Sequence, residues 1–270
     1  MPKAQQSRHA AFGPNGVGPQ RERRVATFIL VHGAWHGGWC FDHVAALLRE
    51  QGHDVFTPDL PGMGGSEEEL AAVTLQGWSD FVAKICHNAA SRPVILVGHS
   101  RGGIVISQAA EIAPEAIDAL VYICAMMLPN GMSRASFRES EPANIEYDTL
   151  TSPTAGGNGT IVTASSPELI FAQRTRRDIS SAAMARLVAE PEGPRVAPVS
   201  VSPERWGSIP RLYIECTDDR VIPLSSQRRM QQLCPGSTVV TLDTDHSPFL
   251  SCPDELAEAL LLSIGITSSK

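Results

Sequence analysis

The chain has 270 residues, a net charge of −7 and 43% hydrophobic residues, which suits a soluble enzyme of one α/β domain, or one plus an insertion, with a large core. The acidic balance argues against nucleic acid and anionic membrane surfaces as partners, and no apolar run is as long as a membrane span. Six scattered cysteines (Cys40, Cys86, Cys124, Cys216, Cys234, Cys252) show neither a disulfide-framework nor a zinc spacing, so reduced thiols and a cytoplasmic protein are expected.

Residues 1–24 are polar and locally basic, with Arg21, Arg23 and Arg24; lacking an apolar segment, they read as a flexible tail rather than a signal peptide. A strand is expected over Ala26–His32, followed by a glycine-rich turn that continues into Ala34 and Trp35. A helix over about Phe41–Gln51 places Val44, Leu47 and Leu48 on one face and ends at Gly52. Asp54–Thr57 reads as a short strand, the segment around Glu67, Glu68 and Glu69 as a polar loop, and Leu75–Ala90 as a helix. Val94–Val97 is a buried strand, Ile104–Ala113 an apolar-periodic helix and Asp118–Cys124 another buried strand. Strands alternating with helices indicate a mostly parallel, doubly wound α/β sheet.

Between the third strand and its helix lies Gly98-His99-Ser100-Arg101-Gly102-Gly103. A Gly-x-Ser-x-Gly in a strand–turn–helix context forms a strained turn that lifts the serine hydroxyl above the sheet. The glycines two before and two after the serine let strand and helix approach closely. Ser100 is therefore the candidate nucleophile, and the Arg101 N–H, next in the chain, a candidate donor to an oxyanion. His99 reads as a packed, hydrogen-bonded histidine.

From Met126 to Ser208 the strand–helix rhythm breaks, with prolines at 129, 142, 153, 167, 191, 194, 198 and 203. A structureless loop of this length is improbable in a compact domain, so the segment reads as an insertion capping the site. Two helical patterns stand out within it, Pro167–Arg174 and Ile179–Glu190. The domain reading is a core of residues 25–125 and 209–270 with a cap of 126–208. Pocket walls could come from Met126, Met127, Leu128, Phe137, Phe171 and Trp206, each of which suits cap core equally well.

Arg211–Cys216 and Ser237–Leu242 read as strands, each ending in a polar loop. The first loop carries Asp218 and Asp219, the second Asp243, Asp245 and His246. Loops at the carboxyl ends of strands hold ligands in open α/β sheets. The chain order serine, acid, histidine is that of an α/β-type triad. His32 and His36 have a spacing seen in some zinc sites, but no further ligands cluster with them, so neither metal nor cofactor is expected.

Four motifs in this order resemble the α/β-hydrolases, and among them the small esterases related to plant methylesterases and hydroxynitrile lyases. They are Val31-His32-Gly33-Ala34-Trp35-His36-Gly37-Gly38-Trp39; Gly98-His99-Ser100-Arg101-Gly102-Gly103; Gly207–Ile214 with Thr217-Asp218-Asp219; and Asp245-His246-Ser247-Pro248-Phe249-Leu250. The resemblance spans about residues 26–265. It implies a triad of Ser100, Asp219 and His246, because an aspartate, three residues and a proline fits Asp219 to Pro223 and leaves Asp218 out of phase. It implies the Ala34 N–H as the second oxyanion donor. Trp35 and Phe249, flanking these loops, and Met126 are the preferred substrate-binding residues.

The activity so implied is a serine carboxylesterase, hydrolysing a small to medium, hydrophobic ester through an acyl-enzyme. A hydroxynitrile lyase, a lactone hydrolase and a receptor-like binding protein on the same fold are the alternatives. Lyases of this family, as the resemblance implies, carry a threonine where this chain has Gly33 and a lysine where it has Ser247. Arg101 departs from the leucine or methionine of the plant members, and its side chain could tune the pocket or pair with a cap carboxylate. A homodimer stays open.

Overall fold

The computed structural model describes residues 25–267; the tail expected for residues 1–24 lies outside them. Nine strands occur among the described residues: β1 (Thr27–Val31), β2 (Asp54–Phe56), β3 (Val94–His99), β4 (Ala119–Ile123), β5 (Thr151–Pro153), β6 (Gly159–Val162), β7 (Glu190–Pro191), β8 (Arg211–Cys216) and β9 (Ser237–Leu242). Six form one sheet in the order β2-β1-β3-β4-β8-β9, every pairing parallel. β1, β3, β4 and β8 are buried along their whole length. Helices cover both faces of this sheet, which is why its strands read as continuous apolar runs rather than as alternation.

The alternation survives in the packing. Phe28 and Leu30 share a core with Val44 and Leu48 of α1 (Asp42–Glu50) and with Leu256 and Leu260 of the helix Pro253–Ile266. Ile29 and Val31 point the other way, into a core with helices α3 (Leu75–His87) and α4 (Gly102–Ile112), the helix α2 being Glu67–Ala72. Burying four such residues on two faces of one strand contributes on the order of 1.5–3 kcal/mol each relative to exposure.

α2 replaces the polar loop expected there. Its only buried residue is Leu70, so no apolar period announces it. It starts instead from reciprocal capping: the Glu69 N–H donates to Ser66 Oγ at 3.3 Å and the Ser66 N–H to Glu69 Oε2 at 2.8 Å.

Between β4 and β8 the chain leaves the sheet. It forms α5 (Arg134–Glu139), a three-stranded antiparallel sheet ordered β5-β6-β7, and short helices at Glu168–Phe171 and Arg177–Met184. The helix expected over Ile179–Glu190 ends early because Glu190 and Pro191 pair with β6. The small sheet escaped expectation because its strands, four residues at most and with prolines at 153 and 191, are too short to show a period. This insertion is tied to the core at the β1 turn: the Val188 N–H donates to the Trp35 carbonyl at 2.9 Å, and Trp35 Nε1 to Thr160 Oγ1 at 3.1 Å. No helix of the described residues is long and apolar enough to cross a membrane.

Candidate active site

The loops that follow β1, β3, β8 and β9 meet at the carboxyl edge of the sheet, bringing Ala34, Ser100, Asp219 and His246 together. Ser100 sits at the β3–α4 junction in a left-handed conformation, φ 51°. A side chain rarely adopts this state, and the surrounding fold must hold it. Steric room explains the flanking glycines: a Cβ on Gly98 would lie 2.8 Å from the Gly102 carbonyl carbon, and one on Gly102 2.7 Å from the Val31 oxygen.

The hydroxyl of Ser100 faces His246 Nε2 at 3.0 Å, and His246 Nδ1 faces Asp219 Oδ2 at 2.7 Å. The three side chains are buried, Ser100 keeping 7% exposure. Asp219 is held by its second oxygen, which accepts the N–H groups of Val221 and Ile222, both at 2.8 Å. An ionised carboxylate accepts on both oxygens, so Nδ1 of His246 carries the proton and Nε2 presents its lone pair to the serine. Asp218 is exposed, and its hydrogen bonds among the described residues are made by its backbone, the N–H on Thr244 and the carbonyl receiving Gln173 Nε2 at 2.6 Å. His99 packs against this line: its Nε2 lies 2.7 Å from the His246 carbonyl, and the two rings are 4.7 Å apart.

The two peptides carrying the Ala34 and Arg101 N–H groups are each anchored from the opposite side. The carbonyl of Ser100 accepts from the N–H of Gly103 at 3.1 Å and of Met126 at 2.9 Å. The carbonyl of Gly33 accepts from His32 Nδ1 at 2.9 Å and from Arg101 Nη2 at 2.9 Å. In a trans peptide the N–H points away from the carbonyl of the same unit. Pinning the Ser100 and Gly33 carbonyls therefore fixes the Arg101 and Ala34 N–H directions, and neither N–H has an acceptor among the described residues.

His32 and His36 brace this turn. The Leu60 N–H donates to His32 Nε2 at 3.1 Å, which leaves Nδ1 to donate to Gly33, and His36 Nδ1 donates to the Ala34 carbonyl at 2.7 Å. Burial pushes His32 down to about 3 and His36 to about 4, the Arg101 charge adding to both. Both stay neutral when folded, whereas the unfolded chain takes up these protons near the ordinary value of about 6.5. The unfolding free energy should therefore fall as pH drops from about 6.5 towards 4, and these groups change nothing above that window. Denaturant midpoints at several pH values check this: the slope should be shallower in His36→Gln, and an unchanged slope would contradict it.

The Arg101 side chain reaches into the inserted segment. It is fully buried, its guanidinium lies 4.3 Å from the centroid of the Trp78 ring, and Nε stands 2.7 Å from Glu190 Oε1 in a close ion pair. Neither atom meets hydrogen-bond geometry in that contact, so it is an ion pair rather than an aligned bond. Desolvation lowers the arginine to about 10 despite the carboxylate. Arg101→Met would leave Glu190 buried without its partner and remove a donor from the Gly33 carbonyl. We expect a loss of about 3–5 kcal/mol by chemical denaturation, since a stranded buried charge is costly; a loss below about 1 kcal/mol would show that the pair contributes no stability.

A cavity of about 50 Å³ above Ser100 is lined by Trp35, Met126, Arg134, Arg138, Tyr147, Arg195, Val221 and Ile222. A more open one of about 440 Å³, between α5 and the loop after β8, shares Met126, Arg138, Val221 and Ile222 with it. Trp35 and Met126 border the cavity above the serine, and Phe137 borders the outer one. Phe249 does not line the Ser100 cavity. It is 1% exposed behind the histidines, edge-on to His99 at 5.0 Å and to Phe41 at 5.5 Å, and it backs the site rather than facing substrate. Phe171 packs between Trp35 and His246, while Trp206 donates to Tyr122 Oη at 2.8 Å within the core. Met127 and Leu128 are fully buried. The cavity arginines escaped sequence reasoning because no local pattern aims a cap side chain at Ser100.

His99, Cys124 and His246 bring potential metal-ligand atoms within 4.8 Å of one another. Both His246 nitrogens and His99 Nε2 are already engaged, so this grouping serves the hydrogen-bond line.

Residues 28–259 match the alpha/beta hydrolase family. A pyrethroid hydrolase of Sphingobium wenxiniae is 33% identical over 247 residues, covering 87% of this chain and 86% of that protein. Methylesterase 1 of Arabidopsis thaliana is 29% identical, over 89% of this chain and 96% of its own length. The crystal structure of a pyrethroid hydrolase from Sphingobium faniae superposes with a TM-score of 0.78 at 32% identity, covering 89% and 98% of the two chains. With the parallel six-stranded sheet and the serine at its elbow, these matches place the chain in the alpha/beta hydrolase family.

Proposed function

We propose that this protein is a serine carboxylesterase that cleaves a small to medium carboxylic ester through an acyl-enzyme at Ser100. The observation that carries this reading is the continuous line from Ser100 through His246 to Asp219, at 3.0 and 2.7 Å, beside two peptide N–H groups with anchored carbonyls. Ser100 Oγ attacks the ester carbonyl while His246 Nε2 takes its proton. The negative charge that forms on the carbonyl oxygen is received by the Ala34 and Arg101 N–H groups, each such donor being worth about 10²–10³ in rate. His246 then gives the proton to the departing alkoxide, and water repeats the sequence to release the acid. Asp219 stays ionised and stabilises the imidazolium. The apolar part of the ester lies against Trp35, Met126, Val221 and Ile222.

The likeness to a pyrethroid hydrolase and to a methylesterase supports a hydrolase with an ester as substrate. Cyanohydrin cleavage fits less well. It calls for a hydroxyl at position 33, where a Cβ would meet His99 Nδ1 at 2.8 Å and Ser100 Cβ at 2.9 Å. It also calls for a cation next to His246, where Ser247 is fully buried. Parallel assays of p-nitrophenyl acetate hydrolysis and mandelonitrile cleavage on one preparation test the assignment. Ester turnover is expected to dominate; efficient cyanide release with negligible ester turnover would overturn it.

A further inference from the structure

The cavity above Ser100 is unusual in its charge. Three arginines line it, Arg134, Arg138 and Arg195, and a fourth, Arg101, lies just behind the serine. Three of the four are matched to carboxylates: Arg101 to Glu190 at 2.7 Å, Arg138 to Asp148 at 2.8 Å and Arg195 to Glu192 at 2.6 Å. Arg134 is the one left over. It opens α5 and is 8% exposed, yet among the described residues no carboxylate lies within 4.0 Å of it. Its guanidinium sits over the Trp35 ring, 5.6 Å from the centroid, and gives one hydrogen bond, to Tyr147 Oη.

Tyr147 does not balance that charge. Burial raises its hydroxyl above the ordinary tyrosine value even against the Arg134 cation, so it is a neutral phenol. Glu190 and Glu192 act on Arg134 only from a distance, and both are shared with other arginines. Those distant charges favour the Arg134 cation, but among the described residues only Tyr147 takes one of its N–H groups, and the others are not sealed from the cavity. Tyr147 accepts from Arg134 and so keeps its own proton to donate, and both residues border the space above the nucleophile. A planar guanidinium fork beside a phenol hydroxyl matches the two oxygens of a carboxylate.

We infer that Arg134 and Tyr147 form an anion subsite, so that the ester taken by this site carries a free carboxylate apart from the bond that is cleaved. The substrate class is then a half-ester of a dicarboxylic acid or an ester of a hydroxy acid. The walls of Trp35, Met126, Val221 and Ile222 take the chain between the two groups. The inference rests on the esterase reading above and deepens it.

The test compares esters that differ only in this charge. Mono-p-nitrophenyl glutarate places the carboxylate on the acyl side and 4-acetoxybenzoate on the leaving-group side; each is run against its carboxamide counterpart. For at least one pair, wild-type kcat/KM should favour the carboxylate by about tenfold or more, the range of one charge-assisted hydrogen bond. That ratio should collapse towards one in Arg134→Gln, survive in part in Arg134→Lys and fall in Tyr147→Phe. Equal rates within both pairs in the wild type would overturn the subsite, as would a preference that persists in Arg134→Gln. Because the wild-type ratio is informative alone, a poorly folding variant does not rescue the idea. If no ester is hydrolysed, the esterase reading fails, and calorimetry then decides the subsite separately. 4-Hydroxybenzoate should bind wild type more tightly than 4-hydroxybenzamide and lose that advantage in Arg134→Gln; equal affinities would overturn it.

Discussion

Ser100→Ala should lower ester turnover by at least about 10⁴-fold, and His246→Ala by a comparable factor, while the double variant should be little worse than either. The non-additivity follows from the geometry. The hydroxyl 3.0 Å from His246 Nε2 is a weak nucleophile until the imidazole accepts its proton, and the imidazole has no acid–base task without the serine. Residual rate in either variant reports what the two N–H donors and binding achieve alone. Steady-state kinetics on one p-nitrophenyl ester checks this; a Ser100→Ala protein keeping more than about a tenth of the wild-type rate would exclude covalent catalysis at this residue.

The second large effect is expected at Asp219. In Asp219→Asn, the amide oxygen can keep the Val221 and Ile222 N–H groups, which both bind Oδ1. The NH₂ group would then face His246 Nδ1, 2.7 Å away in the wild type, and force the ring proton onto Nε2. A histidine with its proton facing the serine cannot act as base, so a loss of about 10⁴-fold is expected. Asp218→Asn touches an exposed side chain and should change the rate by no more than about twofold. Kinetics of the two variants under one set of conditions checks the pair; a severe Asp218→Asn with a mild Asp219→Asn would reverse the assignment.

Much of this arrangement is legible in the residues because the motifs are local. Gly98-His99-Ser100-Arg101-Gly102 encodes its turn through steric room, and the strands β1, β3 and β4 declare themselves by apolar runs of four or five residues, whereas β8 carries Arg211 and Glu215 at its ends. The acid was harder. Asp218 and Asp219 sit side by side in one polar loop, and only family resemblance singled out Asp219; the reason is visible in its hydrogen bonds to residues two and three further on. Nearness in sequence to His246 says nothing of direction, and the Phe249 ring turns to Phe41 and His99. A cap carboxylate is one expected partner of Arg101, but its identity as Glu190 and the unmatched Arg134 are not legible in the sequence, for a related reason. They depend on contacts between the core and an inserted segment whose strands are too short to predict.

The most direct measurement is intact-protein mass spectrometry of the enzyme quenched shortly after mixing with p-nitrophenyl acetate, followed by peptide mapping. Attack by Ser100 requires one acetyl group per chain, located on Ser100 and absent in Ser100→Ala, with its decay keeping pace with turnover. Turnover that proceeds with no acetylated chain, or with the acetyl group on another residue in both proteins, would contradict the account.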